Sequence, residues 1–93
     1  MTAAAILEDI GTLLTELEGL GVKETASQYD EKHFGNFYVD VTGRRSSFRI
    51  VRDRGQYLLD GDLERIKALG LWRAFDSREE FHVAALTYAR AVV

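Results

Sequence analysis

Cysteine and proline are both missing from these 93 residues, and there is one tryptophan. Without cysteine there can be no disulfide, no thiolate nucleophile and no cysteine-ligated zinc. A small chain without such staples points to a reducing cytoplasm. No apolar run approaches the roughly 18 residues of a membrane-spanning helix. The opening "MTAAAILEDIGTLL" lacks the basic start and unbroken apolar stretch of a secretory signal, because Glu8 and Asp9 interrupt it. A cytoplasmic chain without membrane contact is therefore expected. There is also no low-complexity tract, internal repeat or linker, and no glycine-rich phosphate loop of either common pattern.

What is present is a globular composition. Hydrophobic residues make up 46% and aromatics 11% of the sequence, well outside the regime of disorder. The length suits a single domain, 1–93, with one core. The net charge of −3 conceals a split: residues 1–42 hold eight acids and two bases, the remainder ten bases and seven acids. One acidic and one basic surface suit charge-complementary association, including a homodimer. The balance is not that of a dedicated nucleic-acid binder.

Periodicity sets the element order. Ile6, Ile10, Leu13, Leu14 and Leu17 recur at helical spacing, with Thr2 as a candidate cap and Gly19 and Gly21 as stop signals. Gly11 sits inside this helix at a cost of up to about 1 kcal/mol relative to alanine. "VKETASQYD" reads equally as an edge strand or a loop. "NFYVDVT" then alternates, Phe37, Val39 and Val41 opposing Tyr38, Asp40 and Thr42, and "SSFRIVRD" and "YLLDG" follow across turns at Gly43 and Gly55. A helix capped by Asp60 or Asp62 should turn Leu63, Ile66 and Leu69 inward and end at Gly70. Trp72 and Phe75 are expected to plug the core. Ser77 and Glu80 form a capping-box pattern before a last helix with an apolar stripe of Phe81, Ala85, Tyr88, Ala89 and Val92. The predicted fold class is α+β: an N-terminal helix, an antiparallel meander of three to four strands, and two C-terminal helices packed on one face of the sheet.

Catalytic patterns are weak. Asp30, Glu31 and His33 lie close together in "YDEKHF", but catalytic zinc usually takes three well-spaced protein ligands, and a solvated turn explains the segment better. His82 belongs at the core boundary, and the sequence shows no partner that would make it a base. Ser46 and Ser47 lack a nucleophile elbow. "DGDLE" fails the calcium-loop pattern, because Arg65 and Leu71 stand where glycine and glutamate are needed. The expectation is a non-enzyme with no catalytic residue, metal site or cofactor.

Five arginines, Arg44, Arg45, Arg49, Arg52 and Arg54, fall within eleven residues of this acidic chain. Arg49 is out of phase with Phe48 and Ile50 and should point away from the core. Arg52 is in phase with them but near the strand end, where it can turn into solvent. Tyr38 would sit beside Arg49 in a suitable register. Three roles compete: local pairing with Asp40, Asp53 and Asp60; contact with an acidic protein partner; and phosphate contacts with nucleic acid. The overall acidity ranks nucleic acid last. The candidate binding residues are the five arginines with Tyr38.

"FGNFYVDV…FRIVRDRGQYLL", residues 34–59, resembles a sheet pattern of small bacterial proteins of unknown function, some of which are similar to immunity proteins encoded beside polymorphic toxins. The resemblance implies a cytoplasmic protein that binds and blocks a protein partner such as a toxin, with surface charge steering association. It implies no catalytic residue.

Overall fold

The computed structural model describes residues 2–32 and 35–92. In chain order the elements are α1 (Ala4–Gly19), β1 (Lys23–Asp30), β2 (Asn36–Thr42), β3 (Ser47–Asp53), β4 (Gln56–Asp60), α2 (Leu63–Ala68) and α3 (Arg78–Val92). The strands form one antiparallel sheet in the order β1-β2-β3-β4, with the helices packed on one face. The α+β architecture read from the sequence is the one observed. The stretch left open between strand and loop is β1. Its side chains are mostly exposed and polar, so it lacks the alternation that marks β2 and β3, and pairing with β2 supplies the order instead.

Each element ends for a local reason. At the close of α1, Gly21 takes φ +85 while the Val22 amide donates to the Leu17 carbonyl, a glycine-terminated helix end. Ala3, not Thr2, occupies the N-cap of α1, and the Thr2 hydroxyl instead donates to Glu24 on β1. The β3–β4 turn places Arg54 at φ +53 and Gly55 at φ +80, the pair of left-handed residues that matches the twist of a tight hairpin. Asp62 caps α2 by accepting from the Arg65 amide. Ser77 caps α3 by accepting from the Glu80 amide at 3.2 Å, but the Glu80 side chain reaches Arg73, so only half of the capping box forms. Glu79 takes the free place beside the Ser77 hydroxyl at 3.2 Å. Its own backbone amide and that hydroxyl hold its carboxyl below the ordinary glutamate range.

The core lies between the sheet and the helices. Phe37, Val39, Val41, Phe48, Ile50, Tyr57 and Leu59 face Ile6, Leu13 and Leu17 of α1 and Phe81, Ala85 and Tyr88 of α3. Tyr57 stacks on Phe81 at 5.2 Å between centroids, and Phe48 meets Tyr88 edge-on at 5.0 Å. Three expectations fail on the far side of α2. Ile66 is buried as predicted, yet Leu63, Leu69 and Trp72 are exposed. A helix of six residues can turn only a narrow stripe inward. After it, Phe75 is locked to Tyr57 by two reciprocal 2.8 Å backbone bonds. Phe75 thereby takes the interior place against Phe81, and Trp72 is left 49% exposed.

Candidate functional site

The arginine cluster of the sequence is dispersed by the sheet. Arg44 and Arg45 are exposed in the β2–β3 turn, which is closed by a 2.7 Å bond from the Gly43 amide to the Ser46 carbonyl. Arg54 occupies the opposite end of β3, its backbone amide donating to Asn36 Oδ1 at 2.9 Å. Among the described residues, the side chains of these three arginines make no ion pair.

Arg49 lies on the solvent face of the sheet, as its phase requires. It stands opposite Asp40 in the β2–β3 register and donates to both carboxylate oxygens, at 2.7 and 3.0 Å. Its guanidinium also lies 3.9 Å from the centre of the Tyr38 ring. Asp40 and the neighbouring Asp60 raise the affinity of Arg49 for its proton. Of the three local partners foreseen, Asp40 is the one in direct contact. Beside this pair, Tyr38, Val51 and Leu58 are aligned across the three strands as a half-buried apolar row. The outer face thus has a satisfied arginine and an apolar row, with Asp40 and Asp60 beside them.

Arg52 does not turn into solvent. It keeps the phase of Phe48 and Ile50 and reaches beneath α1, where Nε lies 3.3 Å from Asp9 Oδ2 and Nη1 donates to the Gly35 carbonyl at 3.3 Å. The Nε–Asp9 contact is an ion pair without the alignment of a hydrogen bond. Asp9, 18% exposed, collects further partners. The Tyr57 hydroxyl donates to Oδ1 at 2.6 Å, and Arg78 Nη1 lies 3.7 Å from the same oxygen. One carboxylate therefore ties α1 to β3, β4 and α3. Burial pushes the Tyr57 hydroxyl above its ordinary pKa of 10.0, and the bond to Asp9 and its charge push it further, against an opposing effect of Arg52.

The sign of that shift gives a test. Because folding raises the tyrosine pKa, the stabilisation is fully present below about pH 10 and is lost as pH rises through the folded value. Tyr57→Phe is expected to cost about 1–2 kcal/mol in urea melts at pH 8. The difference between the two proteins should shrink as pH rises above about 10 and through the raised folded value. A constant difference across that range would show that Tyr57 ionisation does not contribute.

Asp9 also floors a groove of about 440 Å³ between α1 and α3, with Glu8, Thr12, Glu79 and His82 on its walls. His82 Nε2 lies 2.7 Å from Glu16 Oε2, so this histidine does have a carboxylate partner, supplied by α1 from 66 residues away. Linear spacing carries no signal of such a contact. Among the described residues no group of three or more His, Asp or Glu could hold a metal ion. His33, and with it the Asp30, Glu31 and His33 grouping, lies outside the described residues.

The surface that the sequence did not foresee runs along α2, the following loop and the first half of α3. Leu63, Leu69, Trp72 and Val83 are large hydrophobic side chains left exposed there, Val83 at 65%. A shallow trough of about 660 Å³ has Leu71, Phe75 and Ala84 in its lining, with the Arg73–Glu80 ion pair, 3.0 Å long, at its side. Arg73 also covers Phe75, 4.0 Å from its ring centre. The β2–β3 turn that carries Arg44 and Arg45 lies at the same end of the sheet as Asp60, because Arg49 pairs with Asp60.

No helix among the described residues is long and apolar enough to cross a membrane. No protein-family model, curated protein or solved structure matches this chain.

Proposed function

We propose that this chain is a non-enzymatic protein-binding module of the inhibitory, immunity-like kind, acting in the cytoplasm. The observation that carries this reading is the set of large apolar side chains left exposed on α2, the following loop and α3: Leu63, Leu69, Trp72 and Val83. Tryptophan and arginine are the residue types most often found at the energetic centre of protein interfaces. Here the tryptophan is half-exposed, and Arg44 and Arg45, exposed in the β2–β3 turn, make no ion pair among the described residues. The partner of best fit presents an apolar ridge flanked by carboxylates, and an acidic toxin-like protein meets that description. The immunity-like part of the reading rests on the resemblance of residues 34–59. A nucleic-acid role has less support, because Arg49 is neutralised by Asp40, its stack occupies Tyr38, and Arg52 serves α1.

The test is capture from the source organism's lysate at moderate salt, with the wild-type chain and two variants as baits. The wild type should retain a stoichiometric protein. Trp72→Ala and the Arg44→Glu/Arg45→Glu pair should each lose it, by about tenfold or more in affinity. Recovery of nucleic acid alone, or of a protein indifferent to both variants, would overturn the proposal.

A further inference from the structure

The face of the sheet turned away from the helices is not uniformly polar. Its middle row runs through Gln28, Tyr38, Val51 and Leu58 in successive strands, and the last three are half-buried. A sheet face that meets only water is ordinarily polar along its length. On one side of this row stand Asp40, Arg49 and Asp60, and on the other Asn36, Asp53 and Gln56.

Arg49, with its guanidinium 3.9 Å from the centre of the Tyr38 ring, divides two hollows and borders both. One, of about 300 Å³, has Tyr38, Val51 and Asp53 in its lining; the other, of about 430 Å³, has Asp40, Ser47 and Asp60. The charge of Arg49 is taken up by Asp40, which accepts both of its hydrogen bonds. Asp53 and Asp60 are exposed and make no ion pair among the described residues. Asp30 also borders the first hollow, but it serves the Lys32 amide and is left out of the count. Lys23 stands at the far corner of the face, beside Thr42 on β2 and three strands from Asp60. An apolar row thus has an uncompensated carboxylate on each side.

We propose that this face docks a basic amphipathic helix of a partner protein, with its apolar stripe on Tyr38, Val51 and Leu58 and its cations over the two hollows. The fit is one of charge and of dimension. Across four strands the row spans about 14 Å, the length of about ten helical residues. The carboxylate rows lie two residues to either side of it, about 7 Å away. Lysine and arginine on the flanks of a helix reach that far while their stems cover apolar surface. An acidic or neutral helix would leave Asp53 and Asp60 facing its flanks without counter-charge, so the surface selects for cations. The docking face lies opposite the helices and does not depend on the proposed function.

The test uses the full chain and a labelled peptide of about 14 residues, with leucine along one stripe, lysine on both flanks and capped ends. Fluorescence anisotropy should show saturable binding that weakens about tenfold between about 50 mM and 500 mM salt. The same peptide with glutamate for lysine should not bind. Asp53→Lys/Asp60→Lys should weaken binding about tenfold, and Val51→Lys should do so by as much or more. Trp72→Ala should leave it unchanged. Amide shifts on binding should concentrate at residues 38, 51 and 58 and their neighbours. If Val51→Lys fails to fold, the charge reversal and the shift map decide. No binding up to about 1 mM peptide, equal binding of the glutamate peptide, or indifference to Asp53→Lys/Asp60→Lys would overturn the inference. So would a chain that sediments as a dimer and becomes monomeric in Val51→Lys, which would give the face to a second copy.

Discussion

Asp9→Ala is expected to destabilise the fold by about 2–4 kcal/mol, a large part of the total stability of a domain this size. The carboxylate accepts the Tyr57 hydroxyl at 2.6 Å, lies 3.3 Å from Arg52 and 3.7 Å from Arg78, and is 18% exposed. Its removal leaves the Arg52 guanidinium beneath α1 without its counter-charge and a buried tyrosine hydroxyl without its acceptor, and an unmatched buried group costs more than the bond it made. Asp9→Asn keeps an acceptor for Tyr57 and should lose about half as much. Replacing both charges, as in Asp9→Leu/Arg52→Met, should recover part of the loss, because a hydrophobic pair needs no compensation for lost hydration. Chemical denaturation of the four proteins checks the order. If Asp9→Ala melts like the wild type, Asp9 is not the tie between α1 and the sheet described here.

A second comparison sets two aromatics against each other. Phe81→Ala is expected to cost about 3–5 kcal/mol, enough to unfold a marginal domain. Phe81 is fully buried, stacked on Tyr57 at 5.2 Å and edge-on to Phe75 at 5.8 Å, so its removal opens a cavity between α3 and β4. Trp72→Ala removes a larger ring but should cost less than about 1 kcal/mol, because half of that ring is already in water and no cavity forms. The sequence alone assigns both residues to the core and so predicts comparable losses. Thermal melts of the two variants separate the alternatives, with the Phe81 variant expected about 10 °C or more below the Trp72 variant. The same comparison prepares the capture experiment, since a stable Trp72→Ala chain reports binding and not unfolding.

Much of the architecture was legible because its signals are local. Alternation in Asn36–Thr42 and Ser47–Asp53, the helical stripe from Ile6 to Leu17, and glycines at 21, 55 and 70 each act within a few residues. The binding surface was less legible. The five neighbouring arginines read as one motif, yet strand phase sends Arg49 outward and Arg52 inward, and the turns hold Arg44 and Arg45 at one end and Arg54 at the other. β1 was ambiguous because an edge strand with polar residues on both sides carries no alternation to detect.

By itself, then, the sequence determined the α+β class, the order of the elements and most of the core, since period and turn chemistry are properties of short stretches of chain. Only the tertiary structure decided which charges meet and which apolar groups stay uncovered. Asp9 and Tyr57, or Glu16 and His82, are brought together across 48 and 66 residues by the way α1 crosses the sheet and meets α3. Whether Phe75 or Trp72 entered the core was settled by one backbone bridge to Tyr57. Such choices depend on the relative placement of whole elements, and no local pattern encodes that placement.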